Sequence, residues 1–258
     1  MVEDNNLIKY NNHKESDKKF QLKSINFEVY QSEVLSILGP NGCGKTTILK
    51  LISKIYKAEY GSISYNGIDI RKINYKEYSK LVHYVPQNSN LFPDFSVIDT
   101  IVTGINPELG FFEFPSRYHY QKARQLLEDF GYLDLIDKNL NQISGGEVQL
   151  VFFLRALMSN VEILIFDEPT AFLDFKNQSK ILNVIKKISQ KNKTIIVSLH
   201  DPNHVLRISD RVILLKDGQI FSSGKPEDIL TEENLGKLYE YPVKRLKAKE
   251  ENYYFFRI

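Results

Sequence analysis

A glycine-rich segment constrains this chain more than any other feature: it reads Gly39-Pro40-Asn41-Gly42-Cys43-Gly44-Lys45-Thr46-Thr47. The apolar run Val34–Leu38 precedes it, and a helix-favouring run to Ile52 follows. Closely spaced glycines let the backbone curl until successive N–H groups point at one anion, and the helix start adds the positive end of its dipole. The segment therefore predicts a phosphate-binding loop between a strand and a helix.

Side chains at the end of this loop supply what a polyphosphate needs. Lys45 is expected to reach the β and γ phosphates, and the Thr46 hydroxyl is expected to ligate a Mg²⁺ ion that bridges them. Cys43 occupies a variable position of the loop and is interpreted as filler. A reactive thiol beside the helix-start N–H groups is the alternative.

The composition limits the class of protein. The 258 residues are 42% hydrophobic and 26% charged, as in ordinary globular proteins. No apolar run approaches the roughly eighteen residues of a membrane span. The amino-terminal residues do not fit a secretory signal, and a single cysteine fits a reducing compartment, so we expect a cytosolic chain. The net charge of +2, with both signs interspersed, predicts no nucleic-acid partner.

Short β-branched runs alternate with helical patterns, which predicts an α/β fold with parallel strands. These runs are Ile63–Tyr65, Leu81–Val85, Ile163–Phe166 and Ile195–Ser198. Between about Pro86 and Asn160 the β signals become scarce, which indicates a helical insertion. Within it, Ser116 and Gly131 are predicted to begin and end one helix.

Two further segments are predicted from composition. Asn11–Lys19 is polar and charged between apolar neighbours, which favours a surface hairpin loop. The aromatic segment at 253–258 favours a terminal strand docked on the body of the protein.

The apolar run Ile163–Phe166 ends in two acids, Asp167 and Glu168. A strand covered on both faces delivers such residues to the carboxyl edge of its sheet. Asp167 is expected to be the Mg²⁺ partner, directly or through water. Glu168 is expected to orient or deprotonate the water that attacks the γ phosphate. A pair of solvated acids that opens a turn is the alternative, and the phosphate loop elsewhere weakens it.

A second glycine-rich helix start reads Ile143-Ser144-Gly145-Gly146-Glu147 and precedes an apolar helical pattern. Such a helix start is a second candidate anion site. Because it has no lysine of its own, we interpret it as a clamp that closes on a γ phosphate presented by another subunit.

In identity, order and spacing, these motifs resemble those of the ATP-binding-cassette ATPases. The motifs are the phosphate loop, Gln87, Ser144–Glu147, Asp167-Glu168, Ala171–Asp174 and His200, and the match covers nearly the whole chain. The resemblance implies ATP and Mg²⁺ as cofactors and a P-loop core with a mostly parallel sheet, an antiparallel β subdomain and an inserted helical subdomain. Its implied boundaries within one domain are 1–86 and 161–230 for the core, 87–160 for the helical subdomain and 231–258 for a C-terminal extension.

The resemblance also implies roles for single residues. Tyr10 would stack on adenine, with an ordinary core or surface tyrosine as the alternative. Gln87 would contact Mg²⁺ and the lytic water, and His200 would hold the γ phosphate and Glu168 together. Asp174 would communicate across a head-to-tail pair of copies, in which the Ser144–Glu147 signature of one copy completes the ATP site of the other.

Softer signals resemble the importers of chelated iron, haem, cobalamin or molybdate. They are Thr103–Gly110, Phe114–Ser116, Asp174–Gln178 and His200–Pro202. The resemblance implies two copies of this chain on two polytopic permease subunits, at the cytoplasmic face of the cell membrane, and indirectly an external substrate-binding protein. A groove near Gln87–Phe95 would receive a short permease helix. The alternatives are the ATPase subunit of an exporter and a soluble cassette protein without a transport role.

Overall fold

The apolar runs of the sequence become strands in the computed structural model, which describes residues 6–11, 22–87, 94–110, 112–247 and 254–257. In chain order the strands are β1 (Asn6–Asn11), β2 (Asn26–Tyr30), β3 (Val34–Leu38), β4 (Ser62–Tyr65), β5 (Ile68–Asp69), β6 (Val82–Val85), β7 (Ile163–Asp167), β8 (Thr194–Leu199), β9 (Arg211–Lys216), β10 (Gln219–Gly224), β11 (Lys244–Lys247) and β12 (Tyr254–Arg257). The α-helices are α1 (Lys45–Ile52), α2 (Tyr75–Ser79), α3 (Val97–Val102), α4 (Arg117–Phe130), α5 (Gly145–Met158), α6 (Phe175–Ser189), α7 (Pro202–Ile208), α8 (Pro226–Ile229) and α9 (Glu232–Tyr239). Four 3₁₀ helices cover Ile70–Lys72, Thr103–Glu108, Leu133–Leu135 and Leu140–Gln142.

The central sheet has the strand order β10-β9-β3-β8-β7-β6. Neighbours from β9 to β6 are parallel, and β10 pairs with β9 antiparallel. Strands β3, β7 and β8 are buried at every position, as expected for strands covered on both faces. Because these three strands are parallel, their carboxyl ends meet at one edge of the sheet. The phosphate loop, Glu168 and His200 follow there.

A second sheet is antiparallel, with the order β2-β1-β4-β5. The run Ile63–Tyr65 belongs to it as β4, which pairs antiparallel with β1. Its assignment to the parallel sheet is therefore wrong. Only Ile63 of β4 is fully buried, as in a strand with one covered face, and so short a run does not reveal its pairing partner.

The predicted helical insertion consists of α3, α4 and α5, which lie between β6 and β7 in the chain and pack against one another. Helix α4 has Ser116 as its N-cap and ends at Gly131, whose φ of 76° is left-handed, so both predicted caps are confirmed. The helix buries Ala123, Leu127 and Phe130. These side chains share one apolar cluster with Phe166 of β7, which joins the insertion to the sheet.

At the carboxyl end of the chain, β11 and β12 form an antiparallel pair, and β12 lies near α7. The predicted terminal strand is thus confirmed. The predicted surface loop lies, at positions 12–19, outside the described residues. In the described part of the chain, no helix is both long enough and apolar enough to cross a membrane.

Candidate functional site

The glycine-rich loop connects the end of β3 to the start of α1. Gly44 is the N-cap of α1 with a left-handed φ of 110°, and no described side chain caps this helix. At Gly39, a Cβ atom would lie only 2.2 Å from the carbonyl oxygen of Leu215 in β9. The loop therefore lies against β9 where a larger residue does not fit. Its helix-start N–H groups remain available to an anion.

Lys45 places its ammonium group inside the loop and is only 4% exposed. Its Nζ donates to the carbonyl oxygens of Gly39 at 2.8 Å and Pro40 at 3.1 Å, and lies 3.8 Å from Oε1 of Glu168. An ammonium group has three N–H donors, so these contacts hold it in one place. The positive charge is thus fixed between the loop and the end of β7.

Three side chains converge on the carboxylate of Glu168, which follows β7. Nε2 of His200 lies 2.5 Å from Oε1, Nε2 of Gln87 donates to Oε2, and Lys45 is the third neighbour. Burial raises the pKa of Glu168, but the hydrogen bond and charge of His200, together with Lys45 and Gln87, outweigh burial and leave the pKa below its usual value. At neutral pH, Glu168 is therefore an anion that can accept a proton or a hydrogen bond from water.

The backbone at Glu168 is also unusual. Its φ is 52°, in the left-handed region that non-glycine residues seldom occupy. The N–H group of Glu168 donates to Oγ of Ser198 at 2.9 Å, and the Ala171 N–H donates to its carbonyl oxygen at 3.0 Å. This turn carries the carboxylate away from the line of β7 and toward the loop.

Two hydroxyl groups orient Asp167, which is 1% exposed. Ser198 Oγ donates to Oδ1 at 2.7 Å, and the Tyr84 hydroxyl donates to Oδ2 at 3.0 Å. Burial and the Asp167 charge raise the pKa of Tyr84, which keeps its hydroxyl a donor. Sequence reasoning assigned no role to Tyr84 or Ser198. The available signal was a polar residue near the carboxyl end of each strand. Tyr84 lies near the end of β6, shortly before Gln87, and Ser198 lies near the end of β8, shortly before His200.

A pocket of about 450 Å³ opens at this edge of the sheet. It is lined by Asn41, Gly42, Gly44, Lys45, Thr46, Thr47, Gln87 and Glu168. The structure therefore brings most of the predicted ATP-binding loop together with three of the four predicted catalytic residues, Lys45, Gln87 and Glu168. An ammonium group and helix-start N–H groups in one concave wall suit a polyphosphate.

Oxygen donors at and beside this pocket also fit Mg²⁺: Thr46 and Gln87 line the pocket, and Asp167 is buried immediately before Glu168. The hydroxyl of Thr46, the amide oxygen of Gln87 and the carboxylate of Asp167 are oxygen ligands, the kind that Mg²⁺ prefers. Among the described residues, no group of three or more His, Cys, Asp or Glu side chains could hold a metal by itself. Such a donor set suits an ion that takes its remaining ligands from phosphate and water.

The second glycine-rich helix start lies apart from the pocket. Ser144 is the N-cap of α5, where its Oγ accepts from the Glu147 N–H at 3.3 Å and its own N–H donates to Oε2 of Glu147 at 2.7 Å. Ser144 and Gly145 are exposed, and no described atom lies within 4 Å of a Cβ placed at Gly145. None of these residues lines the phosphate pocket of the same chain.

Asp174 lies on the segment that packs against this signature. A Cβ at Gly146 would meet the carbonyl oxygen of Phe172 at 3.0 Å, two residues before Asp174. Asp174 itself is the N-cap of α6, and its Oδ1 accepts from the Asn177 N–H at 2.7 Å. The signature and the Asp174 turn therefore form one continuous surface.

Tyr10 is not at the site. It is 1% exposed and packs edge-on against Phe27, with the ring centroids 6.0 Å apart, in the core behind the antiparallel sheet. Strand alternation places Ile8 and Tyr10 on the same buried face of β1. With so little of the ring exposed, this conformation favours the alternative, a core tyrosine, and stacking on adenine stays a prediction.

Cys43 is 4% exposed, and its Sγ would lie 2.8 Å from a Cβ at Gly39. Burial raises the pKa of its thiol by more than the nearby Lys45 lowers it. A protonated, buried thiol is a poor nucleophile, which supports the interpretation as filler.

Comparisons with known proteins agree with this site. The sequence profile of the family described as ABC transporter matches residues 22–171. The probable iron chelatin transport ATP-binding protein of Helicobacter pylori is 35% identical over 88% of this chain and 90% of its own length. A solved inward-facing structure of a putative metal-chelate type ABC transporter shares 28% identity and a TM-score of 0.80, over 98% of this chain and 96% of its own.

A dimeric ATP-binding cassette in a post-hydrolysis state, bound to ADP and Pi, shares 28% identity. Its TM-score is 0.75, over 85% of this chain and 98% of its own. The fold is thus matched along nearly the full length of related proteins. The chain belongs to the ABC transporter family, as an ATP-binding-cassette ATPase.

Proposed function

We propose that this chain is the ATP-hydrolysing subunit that powers import of a metal chelate through a membrane permease. One observation carries the enzymatic part: Lys45, Gln87 and His200 meet at the Glu168 carboxylate beside the glycine-rich loop. This arrangement supports Lys45 as a charged phosphate ligand, Glu168 as a carboxylate base and His200 as a second phosphate contact.

ATP binds with its triphosphate in the loop from Gly39 to Thr47. The helix-start N–H groups and the Lys45 ammonium hold the β and γ phosphates. Thr46, Gln87 and Asp167 would hold Mg²⁺, and the bound ion would neutralise charge on the phosphate oxygens.

Hydrolysis depends on the Glu168 carboxylate. It orients the attacking water and accepts a proton from it, for which its depressed pKa keeps it in the anionic form. His200 holds that carboxylate at 2.5 Å, and its exposed side chain also reaches the γ phosphate. Positioning and charge, more than covalent chemistry, lower the barrier of such a transfer.

A second copy completes the site. The signature helix start faces outward, away from the pocket of its own chain. The Ser144 hydroxyl accepts from Glu147 but keeps its own proton to donate to an anion. In a head-to-tail dimer, Ser144–Glu147 of one copy closes on the γ phosphate held by the other, with Asp174 beside it. The dimeric cassette among the solved structures supports this arrangement.

Closure of the dimer drives the permease at the cytoplasmic face of the membrane. The iron chelatin and metal-chelate relatives support chelate import, with an external binding protein that delivers the cargo. The permease helix is proposed to dock between Gln87 and the half-exposed Phe95. Positions 88–93 of that predicted groove lie outside the described residues.

Glu168→Gln tests the enzymatic assignment. The amide keeps the size of the side chain but cannot accept the proton, so ATP turnover should fall by about a hundredfold or more while ATP affinity is kept. We expect a stable ATP-bound dimer in size-exclusion chromatography with light scattering. Glu128→Gln on the surface of α4 is the matched control. Unchanged turnover in Glu168→Gln would remove Glu168 from the mechanism.

Chelate import is tested separately with the purified permease complex in lipid vesicles. ATP enclosed with this subunit should drive uptake of a radiolabelled ferric siderophore from the side of the binding protein. Outward movement of cargo, or none with several chelates, would contradict import but would leave the ATPase assignment intact.

A further inference from the structure

We propose that Tyr239, the last residue of α9, positions His200 and so makes the C-terminal extension part of the hydrolytic site. The inference rests on the proposed function, in which His200 acts on Glu168 and the γ phosphate. It assigns Tyr239 a positioning role, because its hydroxyl contacts the backbone of His200 and not the reacting atoms.

The contact is a single long-range hydrogen bond. The Tyr239 hydroxyl donates to the carbonyl oxygen of His200 at 3.0 Å, across 39 positions of sequence. His200 lies in the short connection between the end of β8 at Leu199 and the start of α7 at Pro202. The backbone of such a connection is not held by the hydrogen bonds of a β-sheet. A hydrogen bond from another element, here from Tyr239, therefore contributes strongly to its position. The position of this backbone decides whether the imidazole meets Glu168.

The donor itself is firmly held. Leu235 and Leu238 of α9 are 0% and 1% exposed in the main apolar cluster. Lys216 at the end of β9 donates to the carbonyl oxygen of Lys237 at 2.7 Å and to Oε1 of Glu240 at 2.8 Å. Hydrogen bonds from Lys216 therefore connect the end of α9 to β9. In the same strand, the Leu215 carbonyl oxygen lies next to Gly39 of the phosphate loop.

Tyr239 is also close to two segments of the site, the His200 connection and the phosphate loop. Burial raises the pKa of its hydroxyl, and the neighbouring Asp201 carboxylate and Cys43 thiol raise it further. Asp201 follows His200, and Cys43 belongs to the phosphate loop. The hydroxyl thus lies near both segments, and it remains protonated and able to donate at neutral pH.

The experiment compares Tyr239→Phe with Tyr241→Phe in the full chain. Tyr241 lies two residues further on and is 57% exposed, which makes it the matched control. Tyr239→Phe removes one neutral hydrogen bond, and the free energy that such a bond contributes corresponds to a kcat that is about three- to tenfold lower. The KM for ATP and the thermal unfolding midpoint should match those of Tyr241→Phe, because the aromatic ring is kept.

Two further readouts separate positioning from general packing. In a His200→Ala background, Tyr239→Phe should lower kcat no further, since both changes remove the same function. Amide hydrogen exchange in the peptide that spans Leu199–Asn203 should be faster in Tyr239→Phe than in Tyr241→Phe.

The outcomes distinguish this inference from the function on which it rests. A wild-type kcat in Tyr239→Phe, an equal loss in both backgrounds, or unchanged exchange around His200 would overturn the role of Tyr239 alone. Wild-type turnover in His200→Ala would overturn the proposed role of His200, and the positioning role with it.

Discussion

The phosphate loop and the signature turn are both glycine-rich helix starts, but they differ in what they offer to an anion. At α1 the N-cap is a left-handed glycine, no described side chain caps the helix, and a buried lysine supplies charge. At α5 a serine caps the helix and a glutamate closes the capping box, so local side chains already satisfy part of the helix start. The first turn of α5 also carries the negative charge of Glu147.

This difference teaches that a helix dipole by itself does not make a phosphate site. The loop before α1 combines free N–H groups, the Lys45 cation and a concave wall. The turn before α5 has the exposed Ser144 hydroxyl and does not line that pocket. The first can bind nucleotide within one chain. The second can contribute only when another molecule brings the phosphate and its counter-charges.

The comparison is tested most strongly by Lys45→Ala against Ser144→Ala. Loss of charged hydrogen bonds in Lys45→Ala should weaken ATP binding by the single chain by about ten- to a hundredfold. Ser144→Ala should leave that affinity unchanged and lower hydrolysis only where dimers form. Titration with a fluorescent ATP analogue measures affinity, and Lys50→Ala, at a half-buried position of α1 that does not line the pocket, is the control. Equal losses of affinity in both variants would place both helix starts in one site.

A matched pair of glycine substitutions separates fold from function. Gly39→Ala puts a Cβ 2.2 Å from the Leu215 carbonyl oxygen, whereas Gly145→Ala meets no described atom within 4 Å. Overpacking against backbone should lower the unfolding free energy of Gly39→Ala by about 1–3 kcal/mol. Gly145→Ala should unfold like the parent in urea and still hydrolyse ATP more slowly. A stable Gly39→Ala would show that the loop can move away from β9.

Tyr84→Phe sharpens the contrast, because on the phosphate side the hydroxyls of Tyr84 and Ser198 both donate to the buried Asp167. Removing the donor to Asp167 should lower hydrolysis by about three- to tenfold and raise the Mg²⁺ concentration needed for half-maximal turnover. ATP affinity without magnesium should not change. Tyr118→Phe on the exposed face of α4 is the control. Parent-like magnesium dependence would show that Ser198 alone orients Asp167.

The smallest effect on ATP turnover is expected at the junction of the two regions, where β6 meets α5. Burial, with a smaller contribution from the charge of Arg155 on α5, lowers the pKa of His83 from 6.5 to about 4. A depressed folded-state pKa stabilises the protein above pH 6.5, and that stability is lost as the pH falls toward 4. Between pH 7 and pH 4 the parent should lose up to about 3 kcal/mol more unfolding free energy than His83→Gln. Identical pH profiles in urea unfolding would exclude this contribution.

Much of the molecule was predictable because its signals are local. The caps of α4 at Ser116 and Gly131 depend on nearby hydrogen bonds and a left-handed φ, both typical of those residue types. The phosphate loop was equally clear, since its glycines and lysine act within a few residues of one another. The antiparallel pairing of β4 was missed, because pairing depends on a partner strand far away in the sequence.

The role of Tyr10 stayed open for a related reason. An aromatic residue near the start of such a chain fits either a base or a core, and only the packing of β1 against Phe27 and Ile63 decides between them. Tyr84, Ser198 and Tyr239 were not predicted as site residues. Their roles arise from hydrogen bonds across 83, 31 and 39 positions, for which a single sequence carries no pattern.

The sequence by itself determined the chemistry: the order of residue types names a phosphate loop, two acids at the end of a buried strand and a second glycine-rich helix start. Tertiary structure decided which of these groups meet. Parallel strands β3, β7 and β8 end at one edge and bring Lys45, Glu168 and His200 together, while the insertion carries Ser144 elsewhere. The physical reason is that a motif depends on residues that are close together in the sequence. A complete site depends on the packing of strands that are far apart in the sequence.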